Sequence, residues 1–317
     1  MSHVAGTTDS RPSSPTTAEN AADLPLTVIE PQSGWQPIPW RELWRHRELL
    51  YFLAWRDVKV RYKQTLLGAL WAILQPTLMM VVFTLVFGRG AQTSSSGVAY
   101  PLFVYAGLVG WTLFATAVAN AAQSVVSAER LVTKVYFPRL SMPLAAIGAS
   151  LVDFVLASAV LFALMIFYGQ PLSAAVFLMP LAALLLIVAA VGFGSALAAL
   201  NVAYRDVRYA LPFLMQLWLL ATPSVYLESR DGREPSGVRR QASGEMARPA
   251  MEEPRRAGKN WLALNPIDGL VAFFRSAVLG SEFEGRRLIY PAAAACGALV
   301  AGCYYFRRVE DSFADII

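Results

Sequence analysis

This sequence has very few of the side chains that carry out chemistry. Its 317 residues include two histidines, His3 and His46, and two cysteines, Cys296 and Cys303. Both cysteines fall in one apolar run, so neither a disulfide framework nor a metal spacing follows. No His-Glu-x-x-His, G-x-S-x-G or Asp-x-Asp run occurs, which argues against a metallohydrolase, a membrane phosphatase or a membrane glycosyltransferase. A phosphate loop is also missing. The one Gly-Lys pair, Gly258-Lys259, is followed by Asn260 in a polar stretch. No catalytic, cofactor or metal site is therefore expected. The first ~24 residues are polar and rich in Ser, Thr and Pro, so no cleavable leader is expected either.

Charge is scarce as well. Only 15% of residues are charged, whereas 56% are hydrophobic. A soluble domain of this length carries a smaller apolar share, so the class is an all-α integral membrane protein. The net charge of +5 fits basic cytoplasmic loops better than nucleic-acid binding.

About 20 apolar residues cross a ~30 Å hydrocarbon core. The sequence predicts six transmembrane helices, over 66–87, 101–125, 140–168, 175–200, 209–227 and 288–306. The fifth has Pro212 near its start and Pro223 near its end, so it is expected to be short or broken. Lys and Arg cluster before the first span and after the second, fourth and sixth, which puts both termini in the cytoplasm. The basic stretch before the sixth span disagrees. It is long and mixed with acidic residues, which weakens its vote.

Just before the first span, Tyr51, Trp55, Val58 and Tyr62 recur at helical spacing, with Arg56, Lys59 and Lys63 on an adjacent stripe. Asp57 and Arg61 are spaced to pair at i,i+4. This segment reads as an amphipathic interface helix lying on the cytoplasmic surface, facing membrane lipid. It serves either as a topology anchor or as a collar that feeds substrate to the first span. Asp153 is the lone charge within a span, roughly 18 Å along it. Such a carboxylate is a functional candidate or a buried hydrogen-bonding group. A secondary transporter would carry more of them. "GFGSALA" at 192–198 begins like a dinucleotide fingerprint, but it lacks the last glycine and sits in a span, where glycines serve close helix packing.

Two further segments stand out. The loop 127–144 is short, amphipathic and aromatic. Leu131, Val135 and Phe137 are suited to burial, Lys134 and Arg139 to water, and Pro138 to ending any helix. Farther on, Asn265 can cap a helix starting at Pro266, with Asp268 in its first turn and Gly280 to end it. Ile267, Leu270, Val271, Phe274 and Val278 form its apolar stripe. About fourteen residues cannot span.

Four ordered motifs, "RDVKVRYKQTLLGALWAILQP", "RLVTKVYFPR", "NVAYRDVRYALPFLMQLW" and "LNPIDGLVAFFRSAVLG", together resemble the ABC-2 type permeases that export polysaccharides such as O-antigen, capsule and teichoic acid. The "RRVEDSFADII" ending also fits. The resemblance implies a six-span permease in a bacterial cytoplasmic (inner) membrane. It would dimerise with a second copy around a channel for lipid-linked glycan, and a separate ATP-binding subunit would drive it. It assigns Arg130, Leu131, Lys134, Val135, Tyr136, Phe137, Pro138 and Arg139 to a coupling helix that meets the ATPase, with Arg205 and Asp206 as a second cytoplasmic motif. It implies aromatics along the glycan path. Trp71, Tyr105, Trp111 and Trp218 are the candidates, and each suits an interfacial aromatic belt equally well. Tyr51, Trp55, Arg56, Lys59, Tyr62, Lys63 and Asp153 are tentative path residues. Asn265, Pro266, Phe274 and Arg275 fall in a short outer-face gate helix. The implied layout is a polar tail over 1–40, an interface-helix region over 41–65, a transmembrane domain over 66–309 and a cytoplasmic tail over 310–317. Segment 228–260 is a longer, Arg-, Glu-, Gly- and Pro-rich insertion on the outer side, expected to be disordered. An ABC-2 permease for drugs or lipids is the alternative reading.

Overall fold

The computed structural model describes residues 40–63, 68–87, 98–129, 131, 137–222, 264–281, 283–310 and 313. All belong to one unit, Pro37–Ile317, and every regular element among them is helical. In chain order these are α1 (Trp40–Arg45), α2 (Arg47–Lys63), α3 (Leu70–Phe87), α4 (Tyr100–Ser127), α5 (Ser141–Phe167), a 3-10 turn (Ala174–Leu178), α6 (Met179–Ala203), α7 (Val207–Leu220), α8 (Pro266–Leu279) and α9 (Arg286–Glu310).

Five segments are long and apolar enough to cross a membrane: α3, α4, α5, the 3-10 turn continued by α6, and α9. The expected fifth crossing appears only as α7, whose 14 residues are too few to span; residues 223–227 of that expectation lie outside the described ones. Pro212 sits inside α7.

The small side chains decide what goes to the centre. Helix α4 carries Ala106, Gly107, Gly110, Ala117, Ala121 and Ala122 on its buried surface. Small residues let backbones approach, which is how apolar helices gain packing energy where lipid offers no hydrophobic drive. As a result 78% of the α4 window is buried, against 11% for α3. The glycines of "GFG" work in two directions. A Cβ on Gly194 would stand 2.6 Å from the Ala121 Cβ of α4, and one on Gly192 would stand 2.4 Å from the Ala298 backbone of α9. Gly302 of α9 faces Gly192 in return, where a Cβ would run into the Gly192 carbonyl oxygen. The glycine run is a packing device, not a nucleotide fingerprint.

Helix α8 follows its expected local rules. The Asn265 side chain accepts the Ile267 N–H at 3.1 Å, Pro266 occupies the first turn, and Gly280 closes the helix at φ 70°. Its setting is deeper than an interfacial helix, for nine of its fourteen residues are buried. It rests against α4, α6, α9 and the 3-10 turn. The Phe274 ring lies against Gly110 and packs edge-on to Phe154 of α5 at 5.8 Å.

Candidate functional site

Helix α2 does more than lie on a surface. It packs along α5, burying Leu53, and Ala54 meets the Gly148 position at 3.4 Å. At its C-terminal end the Arg61 guanidinium donates to one oxygen of Asp153 and the Tyr62 hydroxyl donates to the other. The expected i,i+4 pair of Asp57 with Arg61 does not form. Asp57 takes Arg56 instead, at 2.9 Å. The reason is solvation. The Asp57 side chain is 29% exposed and Asp153 18%, so the more deeply buried Asp153 carboxylate loses more without a cation. Burial first, and then the bond to the Asp153 carboxylate, hold the Tyr62 phenol well above the usual tyrosine range.

The ion pair lines a cavity of about 290 Å³ between α2, α3, α4 and α5. Trp71 and Gln75 of α3 line one wall, and Thr112, Thr116 and Asn120 of α4 line another. Asn120 donates to the Ser150 hydroxyl at 2.8 Å. Sequence reading found Trp71, Tyr62 and Asp153 but missed Arg61 as their partner, and it missed the α4 row altogether. A signal for the row was present. Thr112, Thr116, Asn120 and Ser124 recur every fourth residue in a largely apolar helix.

Other path candidates are distributed differently. Tyr51 and Trp55 are exposed and stack at 6.5 Å and 6°, with the Lys59 ammonium 5.4 Å from the Trp55 ring. Arg56 and Lys63 are exposed on the same helix. Tyr105 and Trp111 are 0% and 4% exposed, so both are core side chains within this subunit rather than lining residues. The Tyr105 hydroxyl donates to the Ala157 carbonyl, and Trp111 joins Phe114, Phe193 and Trp218 in an edge-on aromatic cluster. The Trp218 N–H donates to Asn265 at 3.1 Å, while the Asn265 amide donates to Ala221 and Thr222, both at 3.0 Å. One side chain thus ties the end of α7 to the start of α8. Arg275 lies 3.9 Å from the centre of the Phe103 ring.

In the coupling segment, Arg130, Lys134, Val135 and Tyr136 lie outside the described residues, as does the insertion 228–260. Phe137 is buried in the subunit's own core, so its apolar surface already has a sink and needs none from a partner. Leu131 and Pro138 are half-buried. Arg139, expected to be wet, is half-buried, and one guanidinium nitrogen is fully buried with no hydrogen-bond partner among the described residues. A second cavity of about 540 Å³ opens beside this segment, between Arg56 of α2 and Ser127, Glu129 and Leu131. Arg205 and Asp206 are exposed at the bend between α6 and α7. Among the described residues no group of three or more His, Cys, Asp or Glu side chains comes together to hold a metal.

Residues 48–230 match the family described as ABC-2 type transporter. A Myxococcus xanthus protein named O-antigen export system permease protein RfbA is 31% identical over 278 residues, covering 87% of this chain and 98% of that protein. Two Klebsiella pneumoniae proteins of the same name are each 27% identical over 180 residues, covering 56% of this chain and 69% of their own length.

Proposed function

Because this chain belongs to the ABC-2 type transporter family, we propose that it is the permease subunit of an ATP-driven exporter that moves lipid-linked polysaccharide across the bacterial cytoplasmic membrane. The observation that carries this reading is the match to an O-antigen permease over 98% of that protein's length. The multi-pass helical fold supports it. In this reading two copies of the chain enclose the channel and a separate ATP-binding subunit supplies the energy. The exposed, apolar α3 and α7 are the faces available to a second copy. Helix α7 begins a fifth crossing, and six crossings leave both termini in the cytoplasm.

The geometry suggests a division of labour. The bends after α4 and α6 fall at the same end of the helices, because successive spans run in opposite directions. In this reading Leu131 at one of these bends and Arg205-Asp206 at the other face the ATPase. Helix α8 packs on the 3-10 turn at the other end and serves as the outer gate. The Tyr51–Trp55 stack, with Lys59 beside it, meets the glycan and its anionic lipid linkage on the way in. Sugar rings present apolar C–H faces that stack on aromatic planes while their hydroxyls stay wet.

The test is reconstitution. A cell lacking its own O-antigen permease should regain surface glycan when given this chain together with its ATPase, and not when given this chain alone. Purified alone, the chain should hydrolyse no ATP. Hydrolysis that is lost on mutating this chain would remove the two-component reading.

A further inference from the structure

Helix α2 is fastened to the bundle on one side. It packs along α5 and is clasped there by Arg61, Tyr62 and Asp153. Toward the C-terminal end of α4 it stands off, and the cavity of about 540 Å³ fills the gap. Arg56 forms the α2 wall, and Val126, Ser127, Ala128, Glu129 and Leu131 form the opposite one. Helix α4 ends at Ser127, with Ala128 as its C-cap outside helical geometry at φ −114° and ψ 28°. Glu129 and Leu131 therefore sit past the stiff helix, on chain that can shift without bending α4.

The two walls carry opposite charge. The Arg56 guanidinium meets Asp57 at 2.9 Å, and this is a poor pair. Adjacent residues on a helix do not face each other. The two side chains are also 42% and 29% exposed, where an ion pair contributes little. Across the cavity stands the carboxylate of Glu129, with the apolar Val126, Ala128 and Leu131 beside it. Closing the gap would take Val126 and Leu131 farther out of water. It would also set the attraction between Arg56 and Glu129 in a drier place. At ~4 Å that attraction is about fourfold stronger at the effective dielectric near a protein surface than in bulk water.

We infer that Arg56 is an exchangeable latch, which holds Asp57 while this cavity is open and Glu129 when it closes. Helix α2 and the segment after α4 thus come together in one state of the transport cycle and part in another. The inference rests on the export reading, in which Leu131 faces the ATPase, so a push there bears directly on the cavity wall. ATP binding supplies that push, and the cavity is closed in the ATP-bound complex.

The test is thiol accessibility in the full-length permease bound to its ATPase in lipid nanodiscs. Ser127→Cys puts a thiol in the cavity wall. The exposed Cys296 is replaced by Ser, and the buried Cys303 stays. The probe is N-ethylmaleimide, which is neutral, so changes of charge in the wall do not repel it. Labelling without nucleotide is compared with labelling in a non-hydrolysable ATP analogue. The rate should fall about fivefold with the analogue, the bias that one modest ion pair supplies. Arg56→Gln and Glu129→Gln should each remove most of that fall, and the swap of Arg56→Glu with Glu129→Arg should restore it. A fall that survives both single variants is shielding by the ATPase and overturns the latch, as does a swap that restores nothing. Surface glycan is measured separately in cells. Labelling that ignores the analogue in a complex that exports glycan overturns the latch and leaves the exporter standing. A complex that exports no glycan removes the exporter, and the latch falls with it.

Discussion

Cutting the bond between α2 and α5 is the sharpest perturbation the structure offers. Asp153→Ala leaves the Arg61 guanidinium without its carboxylate and Tyr62 without its acceptor. Breaking a fully buried pair from one side costs about 3–5 kcal/mol, and an exposed pair is worth about 0–1 kcal/mol. Here the side chains are 32% and 18% exposed, so the site lies between these limits. A loss of about 2 kcal/mol is expected for Asp153→Ala, and a similar loss for Arg61→Ala, by the interpolation between those two cases. The double variant should cost less than the sum, because it strands no charge. Arg61→Met with Asp153→Leu should come close to the original stability, since apolar replacements of a buried pair are often neutral. The assay is reversible unfolding in mixed micelles, run as a double-mutant cycle. A coupling above about 1 kcal/mol is expected. Strict additivity, within about 0.5 kcal/mol, would show that the two helices do not communicate through these groups and would refute the reasoning.

Gly302→Val should be severe, because the new side chain meets the Gly192 carbonyl, and backbone cannot step aside as a side chain can; a loss of about 1–3 kcal/mol or more, seen as a reduced monodisperse yield, is the overpacking signature. Asn265→Ala removes a helix cap and three bonds to α7 and should cost well over the ~1 kcal/mol of a cap alone, whereas Asn265→Asp, which can still cap, should recover part of it in the same unfolding assay. Tyr62 is held protonated in the folded state, so stability present below about pH 10 should fall as pH rises further, and Tyr62→Phe should flatten that alkaline decline in a pH series of unfolding curves. Trp55→Leu should lower surface glycan at unchanged permease abundance in the membrane fraction; a loss only in proportion to abundance would make the Tyr51–Trp55 stack an anchor.

Local signals carried over from sequence to structure, and distant ones did not. The α8 ends were legible because the chemistry of Asn265, Pro266 and Gly280 acts within a turn of the chain. The packing role of "GFG" was legible because glycine in an apolar helix has few other uses, although its partners, Ala121 and Gly302, were not. Asp153 stood out as a lone charge. Its partner lies 92 residues earlier, and the nearer Asp57 offered Arg61 an equally plausible spacing. The burial of Tyr105 and Trp111 was hidden for a different reason. Around Tyr105 and Trp111, residues 101–111 of α4 are almost continuously apolar, so no periodicity there separates a face toward protein from a face toward lipid or channel. The polar row from Thr112 to Ser124 was legible in that helix as a four-residue repeat.

The glycine contacts set how this subunit can move. Where α6 touches α9 through Gly192 and Gly302, and α4 through Gly194, the surfaces in contact are backbone or a methyl group. At these glycine points there is no long side chain to change rotamer, and backbone or methyl contact leaves little slack for sliding. In the proposed exporter, a push delivered at the bends after α4 and α6 would move α4, α6 and α9 together as one stiff unit. The helices outside that unit, α3 with 11% of its window buried and the short α7, would take up the displacement. If the chain is driven as proposed, it should open by tilting this stiff frame against loosely seated staves rather than by bending its core.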